Sequence, residues 1–148
     1  MPNNPLNLPQ LIPELYCTNI KESLNFYIRT LSFSIAYQRE EDGFAMLERQ
    51  GSFLMLDEIV ENSKRSWVSG PLEKPFGRGI NFSIETTEID ALYENLLYLN
   101  IPIFLPIENK WYRANDIELG SRQFIVLDLD GYMLRFTQEL GQRPHASN

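Results

Sequence analysis

The chain has 148 residues, 43% hydrophobic and 22% charged, which suits one folded domain with a substantial core. A net charge of −7 removes the basic footprint that a nucleic-acid or anionic-membrane surface requires, and is compatible with a cationic small molecule. The single cysteine, Cys17, excludes an intrachain disulfide and fits a reducing compartment, so the expected location is cytoplasmic. The opening MPNNPLNLPQ lacks the apolar run of a signal peptide and reads as a disordered or extended arm over residues 1–10. No stretch is long and apolar enough to cross a bilayer.

Leu11 to Cys17 alternates as a strand, with Ile12, Glu14 and Tyr16 on one face. Asn19 is placed to cap a helix, with Glu22 as its capping-box partner. Ile20, Leu24, Tyr27 and Leu31 then follow helical spacing. Phe33–Gln38 reads as a strand, residues 39–43 as a polar turn, and Phe44–Glu48 with Ser52–Asp57 as a hairpin around Gln50-Gly51. This gives a β-α-β-β-β module over residues 11–58.

Residues 59–78 show no steady period and read as a surface connector carrying two aromatics, Trp67 and Phe76. These either anchor a ligand at a cleft mouth or pin the connector to the body. Gly79–Glu85 opens a second module, residues 79–138, with Asn81 and Ser83 on one face. Thr87 is placed to cap a helix with the stripe Ile89, Leu92, Leu96 and Leu99. Ile101–Ile107 is a proline-bearing strand, and residues 108–120 read as a long loop around Trp111. Phe124–Asp128 and Tyr132–Phe136 form the last hairpin, with Asp130-Gly131 read as a two-residue turn. Residues 139–148, holding the only histidine, His145, read as a frayed tail.

The two modules look like copies. Phe44 and Phe124 stand 80 positions apart, as do Gly51 and Gly131. The expected fold is α+β: two βαβββ modules in tandem, their curved mixed sheets arranged around a cleft. Strand parity, with two-residue turns in both hairpins, assigns the lining. Module one gives Ile12, Glu14, Tyr16, Phe44, Met46, Phe53, Met55 and Asp57. Module two gives Asn81, Ser83, Phe124, Val126, Met133, Arg135 and Thr137. Aromatic and methionine side chains with a few polar groups are the usual make-up of a small-molecule site; a half-wet sheet face or a dimer interface is the other reading.

The modules, the opening IPELYCTNIKESLNFY and the close GSRQFIVLDLDGYMLRF resemble the vicinal oxygen chelate superfamily over about residues 10–138. That superfamily includes glyoxalases, dioxygenases and bleomycin resistance proteins. The ending, with the preceding WYR and ELG, is most similar to the bleomycin-resistance branch, although Leu129 stands where the family usually has proline. The enzymes of the superfamily hold one metal ion by His or Glu on the first and last strands of each module. Those positions carry over to Ile12, Met55, Gly79 and Arg135, none of which is a metal ligand.

The resemblance therefore implies a binding protein without metal, cofactor or catalytic residues. It would sequester a bulky aromatic or cationic compound, possible examples being bleomycin-like drugs, and so act in antibiotic resistance. Phe44, Met46, Phe53 and Met55 are expected to form the apolar wall and Glu14 and Asp57 to attract positive charge. Trp67, Trp111 and Tyr112 are expected to stack on rings, Arg113 to meet a carboxylate, and Tyr16, Asn81, Ser83, Phe124 and Arg135 to complete the site. A homodimer is implied, with no nucleic-acid or membrane partner. Two alternatives stay open: a lyase or oxidoreductase of the superfamily with atypical ligands such as Glu14 and Asp57, and a module that binds an aromatic metabolite or a protein.

Overall fold

The computed structural model describes residues 6–60 and 67–146. The first half of the expected N-terminal arm, six residues of the connector and the last two of the tail lie outside them. The chain divides into two compact units, residues 1–65 and 66–148.

In the first unit, β1 (Glu14–Cys17), α1 (Ile20–Asn25), β2 (Ser34–Arg39), β3 (Phe44–Arg49) and β4 (Ser52–Glu58) follow in order. The sheet order is β1-β4-β3-β2, with β1 parallel to β4 and the other pairs antiparallel. Asn19 caps α1 as its residue type demands, its Oδ1 accepting from the Glu22 N–H at 3.1 Å. A second free amide of the first turn is satisfied from outside the helix: Glu58, at the end of β4, accepts from the Ile20 N–H at 2.8 Å. The helix does not run regularly to Leu31. It widens into a π-helical turn over Phe26–Thr30, which turns Phe26, Tyr27 and Leu31 all inward.

The second unit repeats the plan with β5 (Asn81–Glu85), α2 (Ile89–Tyr98), β6 (Leu105–Ala114), β7 (Ile117–Leu127) and β8 (Met133–Pro144), in the order β5-β8-β7-β6. Ile89, Leu92 and Leu96 bury the expected stripe of α2, while Leu99 is 43% exposed beyond its end. The N-cap position is Glu88, not Thr87. Its own side chain makes no capping bond, and the Ile89 N–H donates to Gln138 Oε1 at 2.9 Å.

Two expectations fail because strands run further than the sequence signals suggest. The stretch read as a loop over 108–120 is a hairpin: Ala114 pairs with Ile117 across Asn115-Asp116, and Asn115 takes the positive φ of 59° that such a turn needs. The tail continues β8 to Pro144, and the His145 N–H donates to the Asp116 carbonyl at 3.0 Å. β-branched and aromatic residues on β6 and β7 make a ladder long enough to hold polar residues 139–144 in place. Phe76 pins the connector, packing edge-on against Tyr132 at 5.9 Å.

The hairpins differ in one residue. Gln50 and Gly51 both take positive φ, 47° and 87°, and form the two-residue turn that sets Met46 opposite Met55. In the loop between β7 and β8 only Gly131 has positive φ. The Gly131 N–H bonds the Asp128 carbonyl, and Asp128 Oδ1 accepts from the Asp130 and Tyr132 amides at 3.0 and 2.9 Å. The connection is thus a three-residue loop, Leu129 to Gly131, closed by the Asp128–Tyr132 pair. An odd loop shifts the register by one: Val126 lies opposite Leu134 and Ile125 opposite Arg135.

Candidate functional site

In the first unit, parity puts Leu15, Cys17, Ala45, Leu47, Leu54 and Leu56 on one face, all buried. This is the helix side, since Arg49 on the same face donates from Nε to the Leu31 carbonyl at 2.8 Å. The opposite face carries the expected residues of β1, β3 and β4: Glu14 beside Met55, Tyr16 beside Asp57, Phe44 opposite Asp57, Met46 opposite Met55, and Phe53; Ile12, expected with them, precedes β1. Phe44 and Met46 are buried, whereas Tyr16, Phe53, Met55 and Asp57 are half-buried and Glu14 is exposed.

Two residues of β2 that the sequence reading passed over belong to this face. The Arg39 guanidinium lies 4.0 Å from the Phe44 ring centroid, and Tyr37 packs at 5.9 Å from the same ring. Arg39 is also paired with Asp42 at 3.1 Å. Burial raises Glu14 above the usual carboxylate range, helped by the charge and hydrogen bond of Asp57. Burial likewise raises Asp57, while its bond to Glu14 and the nearby Arg39 pull it down. The two carboxylates share one hydrogen bond and titrate as a pair.

In the second unit, Asn81, Ser83 and Arg135 share the face away from α2, with Ser83 directly beside Arg135. Phe124 and Val126 do not. The three-residue loop turns both to the helix side, where Phe124 stacks on Phe136 at 5.5 Å and meets Tyr93 of α2 at 5.1 Å. Their places near Arg135 are taken by Gln123, Ile125 and Leu127. Gln123, which the sequence reading missed, is 2% exposed and central. Its Nε2 donates to Tyr112 Oη at 2.7 Å and to Glu108 Oε1 at 3.0 Å, and its Oε1 accepts from Arg135 Nη1 at 3.2 Å. Arg135 Nε donates to Asn81 Oδ1 at 3.1 Å, and Ser121 and Thr137 are hydrogen-bonded through their hydroxyls. One polar chain therefore crosses all four strands. The signal for it was available: Asp128 three residues before Gly131 marks the longer loop, which puts Gln123 on the face of Arg135.

The three residues expected together in a loop are split by β6. Tyr112 joins the Gln123 network. Trp111 and Arg113 alternate to the other face, where Arg122 reaches Asp90 of α2 at 2.9 Å. Trp111 lies across Gly120, with the Arg143 guanidinium 4.1 Å from its ring centroid. Trp67 is 63% exposed on the connector.

The four positions carried over for a metal do not fit one. Ile12 and Gly79 precede β1 and β5, and the strand neighbours of Met55 and Arg135 are Glu14 and Ser83. With Asp57 this adds two carboxylates, short of the three protein ligands a catalytic site requires. Among the described residues no group of three or more His, Cys, Asp or Glu side chains is arranged to hold an ion. Among the same residues no helix is long and apolar enough to cross a membrane.

No protein-family model matches the chain. It is 28% identical over 144 residues to the bleomycin resistance protein of Geobacillus stearothermophilus, covering 88% of this chain and 97% of that protein. TioX from Micromonospora sp. ML1 superposes with a TM-score of 0.66 at 20% identity, over 89% of this chain and 99% of that one. A glyoxalase/bleomycin resistance protein/dioxygenase from Alicyclobacillus acidocaldarius superposes with a TM-score of 0.57 at 17% identity, over 93% and 94%. Nearly full-length similarity in sequence and the shared tandem-module fold converge: the chain is similar to bleomycin resistance proteins and has the fold of the vicinal oxygen chelate superfamily.

Proposed function

We propose that the protein binds a bulky aromatic or cationic small molecule and sequesters it without chemistry, in the manner of a bleomycin-type resistance protein. The observation that carries this reading is the first unit's non-helix face, where half-buried Phe53 and Met55 lie beside Glu14 and Asp57. Apolar, adaptable side chains supply area and carboxylates supply attraction for a cation. Supporting it further, the donor set at the superfamily's metal positions lacks three ligands. A homodimer in the cytoplasm belongs to the same proposal, and light scattering at twice 17.3 kDa is its check.

The test is a titration with metal-free bleomycin followed by tryptophan emission, with mass spectrometry of the recovered drug. Saturable quenching and an unchanged drug mass are expected. Absence of any response at millimolar drug, or recovery of a modified drug together with one metal ion per chain, overturns the reading.

A further inference from the structure

We propose that the second unit's sheet, on the face away from α2, takes the carboxylate group of a small molecule, with Arg135 as its contact residue. This rests on the small-molecule-binding reading above and adds the chemistry of one ligand group.

Arg135 is a cation held in place by neutral partners. Its Nε donates to the Asn81 amide oxygen and its Nη1 to the Gln123 amide oxygen, at 3.1 and 3.2 Å. Neither acceptor carries charge, and among the described residues Arg135 makes no ion pair. Hydrogen bonds to amides satisfy two donors but leave the charge uncompensated on a half-buried residue. The Nη2 amino group keeps both its donors.

The arrangement is also pre-set. Gln123 is 2% exposed, and its amide direction is fixed because Nε2 donates to Tyr112 Oη and Glu108 Oε1. The opposite end must then present oxygen to Arg135. A buried glutamine locked by its far partners thereby holds the guanidinium at a constant angle. Little side-chain freedom is left to lose when an anion arrives. Ser83, beside Arg135 on the parallel strand β5, is exposed and adds a hydroxyl donor. A planar carboxylate matches guanidinium donors better than a neutral amide, which offers one acceptor and no charge.

The test compares 2-naphthoate with neutral 2-naphthamide, following the Arg135 Nε–H resonance and ring-induced shifts by NMR at pH 7. Naphthoate is expected to shift the Arg135 signal and to bind about ten-fold more tightly than the amide, in keeping with a charge-assisted bond. Arg135→Gln should abolish the difference. Asn81→Asp provides an internal carboxylate against Nε and should weaken naphthoate while sparing naphthamide; it serves equally if Arg135→Gln fails to fold. Equal binding of the two probes, or discrimination that survives both substitutions, overturns the carboxylate site and leaves small-molecule binding intact. If neither probe binds while bleomycin does, the carboxylate site again falls alone; if bleomycin also fails, both readings fall.

Discussion

The hairpin β3–β4 and the hairpin β7–β8 occupy the same place in their modules, yet they turn by different chemistry. Gln50-Gly51 is a two-residue turn with both residues at positive φ; Leu129-Asp130-Gly131 is a three-residue turn with one. The additional residue changes which side chains meet the helix. Phe44 and Met46 point away from α1, whereas Phe124 and Val126, 80 positions on, point toward α2. A repeat visible in the letters is therefore not a repeat in facing. The second unit exchanges an aromatic and methionine face for a hydrogen-bonded polar one because of a single residue of loop length.

The sharpest way to break this comparison is to truncate one aromatic on each side of it. Phe124→Ala should cost about 3–5 kcal/mol, since the ring is fully buried against Phe136 and Tyr93. Phe53→Ala, on the half-buried face, should cost about 1 kcal/mol or less. Urea unfolding measures both, and equal losses would contradict the opposite facing.

The turn glycines come next. A Cβ on Gly131 would sit 2.4 Å from Pro75 Cβ at a φ of 100°, so Gly131→Ala should lose roughly 2–4 kcal/mol. Gly51→Ala meets nothing within 4 Å and should lose about 1 kcal/mol, from its φ of 87° alone. Thermal melts of the two variants give the ordering. The Asp128 carboxylate is a further difference: Asp128→Ala strips two amides of their acceptor and should cost about 1–3 kcal/mol. In the first hairpin the carboxylate at the turn is Glu48, which accepts from the Gly51 N–H at 2.8 Å.

The smallest effects distinguish the units by pH. Glu14 is raised, so its ionised form opposes folding; Glu14→Gln should be more stable than the parent at pH 7, with the gap closing as pH falls toward about 4. Glu118 is lowered by its bond to His145 and then by Arg143, so its ionised form favours folding. Glu118→Gln should be less stable than the parent at pH 7, and that gap should persist to about 4 and close only at lower pH. Paired melts across pH 4–7 read out the opposite signs.

Legibility in the sequence followed the range of the interaction. The cap at Asn19, the stripe of α2 and the Met46–Met55 pair rest on local spacing and a standard turn, and all could be read. The β6–β7 hairpin was missed because Asn115-Asp116 is a weaker turn signal than Asn-Gly, and because tryptophan and charge within 108–120 mask alternation. Residues 139–144 carry no strand signal of their own; only β7 keeps them extended. Of the candidate site, the first unit's face was legible on β1, β3 and β4, while Tyr37 and Arg39 of β2 were passed over. The second unit's face required the loop count, and one residue there displaced Phe124 and concealed Gln123.

Gly120 also has consequences for how this protein can change over time. The Trp111 ring fills the space a Cβ at position 120 would take, at 2.7–2.8 Å, and Leu140 closes it from the other strand at 2.9 Å. Drift at 120 is barred until Trp111 has first been replaced by something smaller, which would forfeit the stack with Arg143. These sites on three neighbouring strands should thus evolve as one character, so that homologues with a side chain at 120 lack tryptophan at 111.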